Sequence, residues 1–415
     1  MGREPAVVDT ADAAAERRKW LTLSLLALAE LLAMAVWFSG SAVVPALTKA
    51  WSLDDSGRAW LTMSVQIGFV VGAFGSALLN LSDRIPSRGL VAGSSLLAAL
   101  STALIPLLAH DLRVALPLRF FTGLFLAGVY PVGMKIVATW TRTDRGVGIG
   151  LLVGALSVGS AAPHLLQALG GTDDWQRVLM LAAALAATGG VLAALFVREG
   201  PWRVKTPPFR WRYVVEVARD REMLLANLGY LGHMWELYAM WTWIPAFLIA
   251  SFALRGVAPH WASATAFASI AAGFAGSVVA GRLADRLGRT RVVIASLVVS
   301  GACSLLAGLL FGGAPLALVA LCLVWGFAVV ADSAQFSACV SELCDPAYMG
   351  TALTLQTSLG FLLTLVTIRM LPSVVGVVGW RWAFSVLALG PVVGTWAMVA
   401  LRGSPMAFKL AGGKR

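Results

Sequence analysis

Two acids stand where a chain has little reason to put them. Glu30 opens the stretch "ELLAMAVW" and Glu236 opens "ELYAMWTW", and each lies deep in an apolar run. A charged side chain at the centre of a membrane helix costs roughly 3 kcal/mol on insertion scales, so such a group faces a cavity or a partner. The chemistry open to it is carriage of a proton or recognition of a polar ligand. Helical spacing puts Glu30, Met34 and Trp37 on one face, and Glu236, Met240 and Trp243 on the matching face of the second copy. His233 precedes Glu236 by one helical turn and shares its face, so the two can interact directly. An imidazole beside a dry carboxyl can exchange protons near physiological pH; the alternative is a static pair that fastens one helix to another. Arg119 is a third ionisable group in an apolar run, and a buried guanidinium seeks a carboxylate from the protein or from a substrate.

Further polar and aromatic side chains could line a path beside these charges. Tyr130 returns to the face of Arg119. Asp332 follows Trp325 by two helical turns, which brings acid and indole together. Trp235, Tyr238 and Met240 crowd the run around Glu236, and Gln356 is an amide inside another run. Ser157, Ser160, His164 and Gln167 form a stripe that lines the path or merely ties helices together. Lys135 lies near the end of its run, where snorkelling accounts for it. The expected proton-coupling or cavity group is therefore Glu30, Glu236, His233 and Arg119. The substrate-cavity candidates are Trp37, Tyr130, Trp235, Tyr238, Met240, Trp325, Asp332 and Gln356.

Enzyme chemistry finds no foothold. Gly146, Gly148 and Gly150 lack a preceding strand and make no dinucleotide loop, and there is no Walker sequence, H-E-x-x-H or nucleophile elbow. Cys303, Cys322, Cys339 and Cys344 show no metal-ligand spacing. No cofactor and no metal are expected.

The elements that must hold these residues follow from composition. Of 415 residues 59% are hydrophobic and 13% charged, about half the charge of a soluble globule. Apolar runs long enough to span a bilayer lie near 20–46, 59–81, 89–109, 113–139, 147–170, 177–197, 224–252, 261–282, 291–312, 314–340, 348–371 and 381–401. The prediction is an all-α membrane protein with twelve transmembrane helices. Arg17, Arg18 and Lys19 precede the first run without a small-residue cleavage site, so the first helix is expected to stay. The net charge of +11 is unevenly placed. With the N-terminus inside, 23 Lys and Arg fall in cytoplasmic segments and six outside: Lys49, Arg58, Arg113, Arg177, Arg255 and Arg381. This is the positive-inside pattern, an orientation signal rather than a nucleic-acid footprint.

The chain also repeats itself. The two E-L-x-A-M-x-x-W frames, Asp83-Arg84 with Asp285-Arg286, and Trp175 with Trp380 all recur at nearly one offset. Between the copies runs a basic, Pro-containing segment. The expected organisation is a tail over 1–18, a six-helix bundle over 19–197, a cytoplasmic linker over 198–222, a second six-helix bundle over 223–402 and a tail over 403–415. Two such bundles related by an axis along the membrane normal are a transporter plan.

Gly281 to Arg291, "GRLADRLGRTR", resembles the loop signature of the major facilitator superfamily, G-x-L-x-D-R-x-G-R-R/K. Its first-half copy, "LNLSDRIPSR", is degraded, with Leu79 for the leading Gly and Pro86-Ser87 for Gly-Arg. "RFFTGLFLAG", Arg119 to Gly128, is similar to the family's fourth-helix motif. The resemblance implies two pseudo-symmetric bundles, first and seventh helices lining one central cavity, and a gating role for Asp83, Arg84, Asp285, Arg286 and Arg289. Topology-setting charge is the competing account of these residues, and the better one for Arg291. The resemblance further implies a secondary transporter of a small organic solute working by alternating access, proton-coupled with symport favoured, in a bacterial-type inner membrane with both termini cytoplasmic. Its partners are then a small-molecule substrate, protons and the lipid bilayer, with no nucleic acid, and the working unit a functional monomer. A proton-driven multidrug or metabolite exporter is the alternative, although "GSAAPHLL" lacks the G-P-x-x-G-G turn of drug exporters. A non-transporting sensor would need a signalling domain. Nitrate-type carriers place Arg inside the second and eighth helices, and neither interior has one here.

Overall fold

The computed structural model describes residues 10–141, 145–170, 174–202, 209–345 and 347–414. Residues 1–9 of the predicted tail over 1–18 and residues 203–208 of the linker lie outside the described residues, and the rest of that tail, from Thr10, is helical. Among the described residues there is no strand. Eleven helical runs are long and apolar enough to cross a membrane: Ala15–Trp51, Asp55–Leu78, Ser87–Leu108, Leu112–Trp140, Gly146–Leu169, Trp175–Phe196, Arg221–Ala253, Pro259–Leu287, Arg289–Leu310, Pro315–Leu343 and Met349–Arg402. The last is 54 residues long and breaks at Gly379, whose φ of 72° and ψ of 170° are not helical. It is two spans, so the architecture is twelve spans, six before and six after the linker. They are called spans 1 to 12 below. The face at which odd-numbered spans begin and the linker lies is the terminal face.

Local chemistry fixes where many spans start. Asp54, Asp111, Asp174 and Asp220 each accept a hydrogen bond from a backbone N–H two or three residues on, which caps spans 2, 4, 6 and 7. Pro259 and Pro315 stand in the first turns of spans 8 and 10, where no N–H is missed. Gly288 turns the chain from span 8 to span 9 at φ 99°, a conformation that favours glycine. The equivalent residue in the first half is Pro86, at φ −52°, so the degraded loop copy makes its turn differently.

Several spans depart from a regular α-helix, span 12 among them at the 3-10 turn Phe384–Ala388. Span 4 loosens between Leu126 and Tyr130, and span 10 at Asp332, matching places in the two halves. Span 8 kinks at Ala272. Span 1 breaks between Met34 and Ser39, whereas span 7 runs unbroken from Arg221 to Ala253. This corrects the continuous first helix expected from the sequence. Trp37 lies in the break, not one turn beyond Met34 on the face of Glu30.

The halves meet along two seams. Span 2 packs on span 11, and span 5 on span 8. The second seam is built from small residues. A Cβ on Gly150 would lie 2.8 Å from Ser277 O, and one on Gly281 would lie 2.7 Å from Gly146 O. Gly146, Gly150 and Gly154 recur every four residues, so one helical face lets two backbones touch. At the far end Ser263 Oγ donates to Gln167 Oε1 across the seam at 2.9 Å, which places one member of the span 5 polar stripe as a tie between helices.

Candidate functional site

At mid-depth an aromatic layer closes the space between the halves. Trp37, Phe38 and Phe69 come from the first half, and Tyr238, Trp241 and Phe361 from the second; all six are buried. Ring centroids of Phe69 and Phe361 are 4.5 Å apart, those of Trp37 and Phe361 5.6 Å, and those of Phe38 and Tyr238 5.9 Å. The indole N–H groups of Trp37 and Trp241 have no acceptor among the described residues. Such a layer offers ring faces together with two unused donors. Sequence reading selected Trp37 and Tyr238; it missed Phe38, Phe69 and Phe361, because a phenylalanine in an apolar run gives no signal of its own.

Arg119 is not free to meet a substrate in this state. Its guanidinium donates to Val36 O at 2.8 Å, Trp37 O at 2.5 Å, Ser39 Oγ at 3.0 Å and Leu61 O at 3.2 Å. The break in span 1 strands carbonyls within the membrane, and the guanidinium satisfies them while countering the negative end of the first helical segment. The expected carboxylate partner is thus replaced by backbone oxygens.

Glu236 sits among spans 9 and 10 of its own half, so the expectation that it faces a shared central cavity is corrected, while Glu30 lies beside span 4. The place where a Gly133 Cβ would stand is 3.3 Å from Glu30 Oε2, just beyond the loosened stretch of span 4. Neither Glu30 oxygen has a hydrogen-bond partner among the described residues. Tyr130 lies within electrostatic reach of Glu30 and of Tyr230 and Tyr238 in the other half. Glu236 Oε1 accepts from Trp325 Nε1 at 2.8 Å, and Ser300 of span 9 lies beside the carboxyl. Its Oε2 has no partner with hydrogen-bond geometry. Sequence symmetry gave equivalent faces, but those faces turn toward spans 4 and 10, where the loosened backbone leaves room for a carboxyl.

His233 does not pair with Glu236. Its Nδ1 lies 2.9 Å from Asp332 Oδ1, and its Nε2 is 2.9 Å from Ser333 Oγ, both at the bend of span 10. Asp332 is in turn within electrostatic reach of Glu236. His233 and Asp332 are buried, while Ser333 is partly exposed. Ser333 was missed, although it adjoins Asp332 in sequence. Trp235 turns away from the layer: its Nε1 donates to Val386 O at 3.1 Å and its ring abuts Gly390, on span 12. Met240 is fully buried in the core of span 7. Gln356 is buried with both amide atoms unpartnered, as are Gln66 and both ring nitrogens of His164.

The loop charges form two clamps of opposite polarity. In the first half Asp83 accepts from Lys135 at 2.5 Å, and the same ammonium donates to Ser82 O at 2.6 Å. Lys135 therefore ties span 4 to the loop rather than snorkelling. In the second half Arg289 makes a forked pair with Glu342, closest at 2.6 Å, and donates to Gln335 at 2.9 Å. Bidentate geometry of this kind is the strong form of an ion pair. Asp285 reaches the other half: a Cβ on Gly146 would stand 2.5 Å from its Oδ2, so the carboxylate rests on the first turn of span 5, a favoured place for an anion. Arg84 and Arg286 are exposed. The four cysteines are buried and free, and no cluster among the described residues could hold a metal.

A bundle of twelve spans in two six-span halves, with spans 4 and 10 loosened at matching places and buried acids beside them, is the plan of a solute carrier. The pattern of the Major Facilitator Superfamily matches residues 26–368, and the chain belongs to that superfamily. It is a multi-pass membrane transporter of small solutes. Among curated proteins it is 27% identical over 283 residues to the 3-(3-hydroxy-phenyl)propionate transporter of Escherichia coli (strain K12), covering 64% of this chain and 67% of that one. Among solved structures it resembles the nucleoside transporter NupG, solved as a point mutant, with a TM-score of 0.70 at 16% identity over 92% of this chain and 99% of that one. It also resembles a bacterial homolog of the human lysosomal transporter Spinster, solved inward-facing and unoccupied, with a TM-score of 0.68 at 14% identity over 94% and 99% of the two chains. These structural likenesses are likenesses of fold.

Proposed function

We propose that the protein is a proton-coupled symporter of a small ring-bearing organic solute, working by alternating access as a monomer in a bacterial inner membrane with both termini cytoplasmic. The observation that carries the reading is the arrangement around Glu236. A buried carboxyl with one donor and one unpartnered oxygen stands near the Asp332–His233–Ser333 array, whose last member is partly exposed. A carboxyl that alternates between dry and wet surroundings exchanges its proton with each change. Glu30, beside the bend of span 4, is the second candidate of the same kind. The aromatic layer supports a ring-bearing solute through stacking, and the curated relative's name supports an aromatic carboxylic acid. Tyr130, Tyr238 and Gln356 are the polar contacts we assign to it. Positive charge concentrated at the terminal face supports the orientation.

The test uses purified protein in liposomes that hold a pH-sensitive dye. Addition of 3-(3-hydroxyphenyl)propionate is expected to acidify the lumen in step with uptake of the labelled acid. Uptake without proton movement removes the coupling. Lumen alkalinisation on uptake, or expulsion of the solute by an inward proton gradient, favours the exporter instead.

Asp285 is assigned to the gate on the terminal face, with Arg289 orienting it from one helical turn away at 3.6 Å. Asp83, Arg84 and Arg286 belong to the same loops. Asp285→Asn is expected to lower transport about tenfold, the loss of one charge at a helix end being worth up to ~2 kcal/mol when partly buried, and to leave substrate affinity within about twofold. Equal losses of affinity and rate in titration and uptake assays would assign Asp285 to binding.

A further inference from the structure

The linker carries a helix, Trp211–Arg219, with three distinct stripes. Val214 and Val217 face inward, Val217 fully buried. Trp211, Val215 and Ala218 form an outward apolar stripe, with Trp211 65% and Val215 50% exposed. Arg212, Glu216 and Arg219 form an exposed charged stripe beside it, and Arg210 and Arg221 extend it at either end. Arg212 stacks on the Tyr213 ring at 4.6 Å and donates to its hydroxyl at 2.7 Å, which uses one of its five N–H groups, and the residue remains exposed.

This segment also straps the two halves together. Phe209 and Trp211 close a three-ring cluster with Phe74 of span 2, at 5.2 and 5.8 Å. On the other side Arg210 N donates to Thr351 Oγ1 at 3.2 Å and Tyr213 packs on Tyr348 at 5.5 Å, both at the start of span 11. The strap thus crosses the span 2–span 11 seam where both spans leave the bilayer.

An apolar stripe led by Trp, flanked by Arg, is the pattern of a helix lying in the headgroup layer. We propose that the linker helix binds anionic phospholipid, with Trp211, Val215 and Ala218 entering the acyl boundary and Arg212 and Arg219 meeting headgroup phosphate. Lipid is the occupant we assign because the strap is held at the ends of spans 2 and 11, the level at which headgroups lie, and pairs an exposed Trp with arginines. Over residues 210–222 four exposed arginines outnumber exposed Glu216 and the partly exposed Asp220 and Glu222, and on the helix itself Arg212 and Arg219 outnumber Glu216, a balance that favours negative headgroups. Bound lipid then holds the ends of spans 2 and 11 at one separation, so membrane charge biases the rocking of the halves.

The experiment needs no transport substrate, so it stands apart from the proposed function. Because the four native cysteines are buried, Val215→Cys is labelled with bimane in the full chain and reconstituted into phosphatidylcholine vesicles, or into an equimolar mixture with phosphatidylglycerol. In the anionic vesicles bimane emission is expected to shift to the blue and iodide quenching to fall about threefold, with docking weakened about fivefold for each arginine removed in R212Q/R219Q. High salt is expected to reverse the shift in the singly substituted protein. Equal emission in both vesicle types, a difference that survives R212Q/R219Q, or insensitivity to salt would each overturn the proposal.

Discussion

Glu236→Gln is expected to abolish solute accumulation driven by a pH gradient while leaving exchange of labelled for unlabelled solute measurable in liposomes. Glutamine keeps the volume and can still accept from Trp325, so the packing of spans 7, 9 and 10 survives. It carries no exchangeable proton on the timescale of transport. Proton movement is expected to stop, while the rocking of the halves remains available to an exchanger. Removal of a transition-limiting proton step should lower driven uptake by 100-fold or more, about 3 kcal/mol on the barrier. Gradient-driven uptake of wild-type size in the glutamine variant would take Glu236 out of the proton path, and its depth would then be a matter of helix packing. His233→Gln supplies the graded comparison, because it interrupts the array at Asp332 and Ser333 and leaves the carboxyl in place.

Arg119→Met is expected to cost the protein its folded state. The substitution strands the carbonyl of Trp37 in a region without water and leaves that of Val36 with the Ser39 hydroxyl alone, whereas Leu61 O, inside span 2, keeps its helical N–H. Each unsatisfied backbone group there costs several kcal/mol, against a total stability of about 5–15 kcal/mol for an ordinary domain. The measurement is the monodisperse fraction on size exclusion after detergent extraction, with thermal unfolding of whatever survives. Arg119→Lys is expected to rescue part of the yield, since one ammonium reaches some of these oxygens but not all four. Full wild-type yield and melting temperature for Arg119→Met would mean that the break in span 1 satisfies itself, and would return the guanidinium to the pool of substrate contacts.

The fold was legible because its signals are redundant. Twelve apolar runs, a single offset shared by several landmarks and the loop at Gly281–Arg291 all point to one plan, and hydropathy needs no knowledge of side-chain direction. The site was legible only in part. That Glu30 and Glu236 are deeply buried follows from their runs; where they point depends on the bends of spans 4 and 10, which periodicity assumes away. Trp37 was misplaced for the same reason. A helical wheel carries the chain straight through Met34–Ser39, whereas Arg119, far along the sequence, supplies the hydrogen bonds that let the helix break there. Trp235 and Trp325 are both tryptophans in apolar runs, and nothing in their neighbours tells which bonds a backbone carbonyl on span 12 and which a carboxyl on span 7. Lys135 needed the partner Asp83, which only the tertiary structure brings near.

The glycine face of span 5 against span 8 has a mechanical meaning. Where side chains interlock, sliding or tilting means climbing over them, as gears must unmesh before they turn. Where Gly150 meets the Ser277 carbonyl with no Cβ between, the surfaces are smooth at the scale of an atom. If the halves rock as proposed, the seam serves as a bearing, and the polar contacts that must break lie at its two ends, Gln167 with Ser263 on one side and Asp285 on the other. Along this seam the balance between open and shut would then rest on those end contacts, while the aromatic layer weighs in at the centre. A differential of a few kcal/mol, the scale of one proton or one bound solute, is enough to tip it.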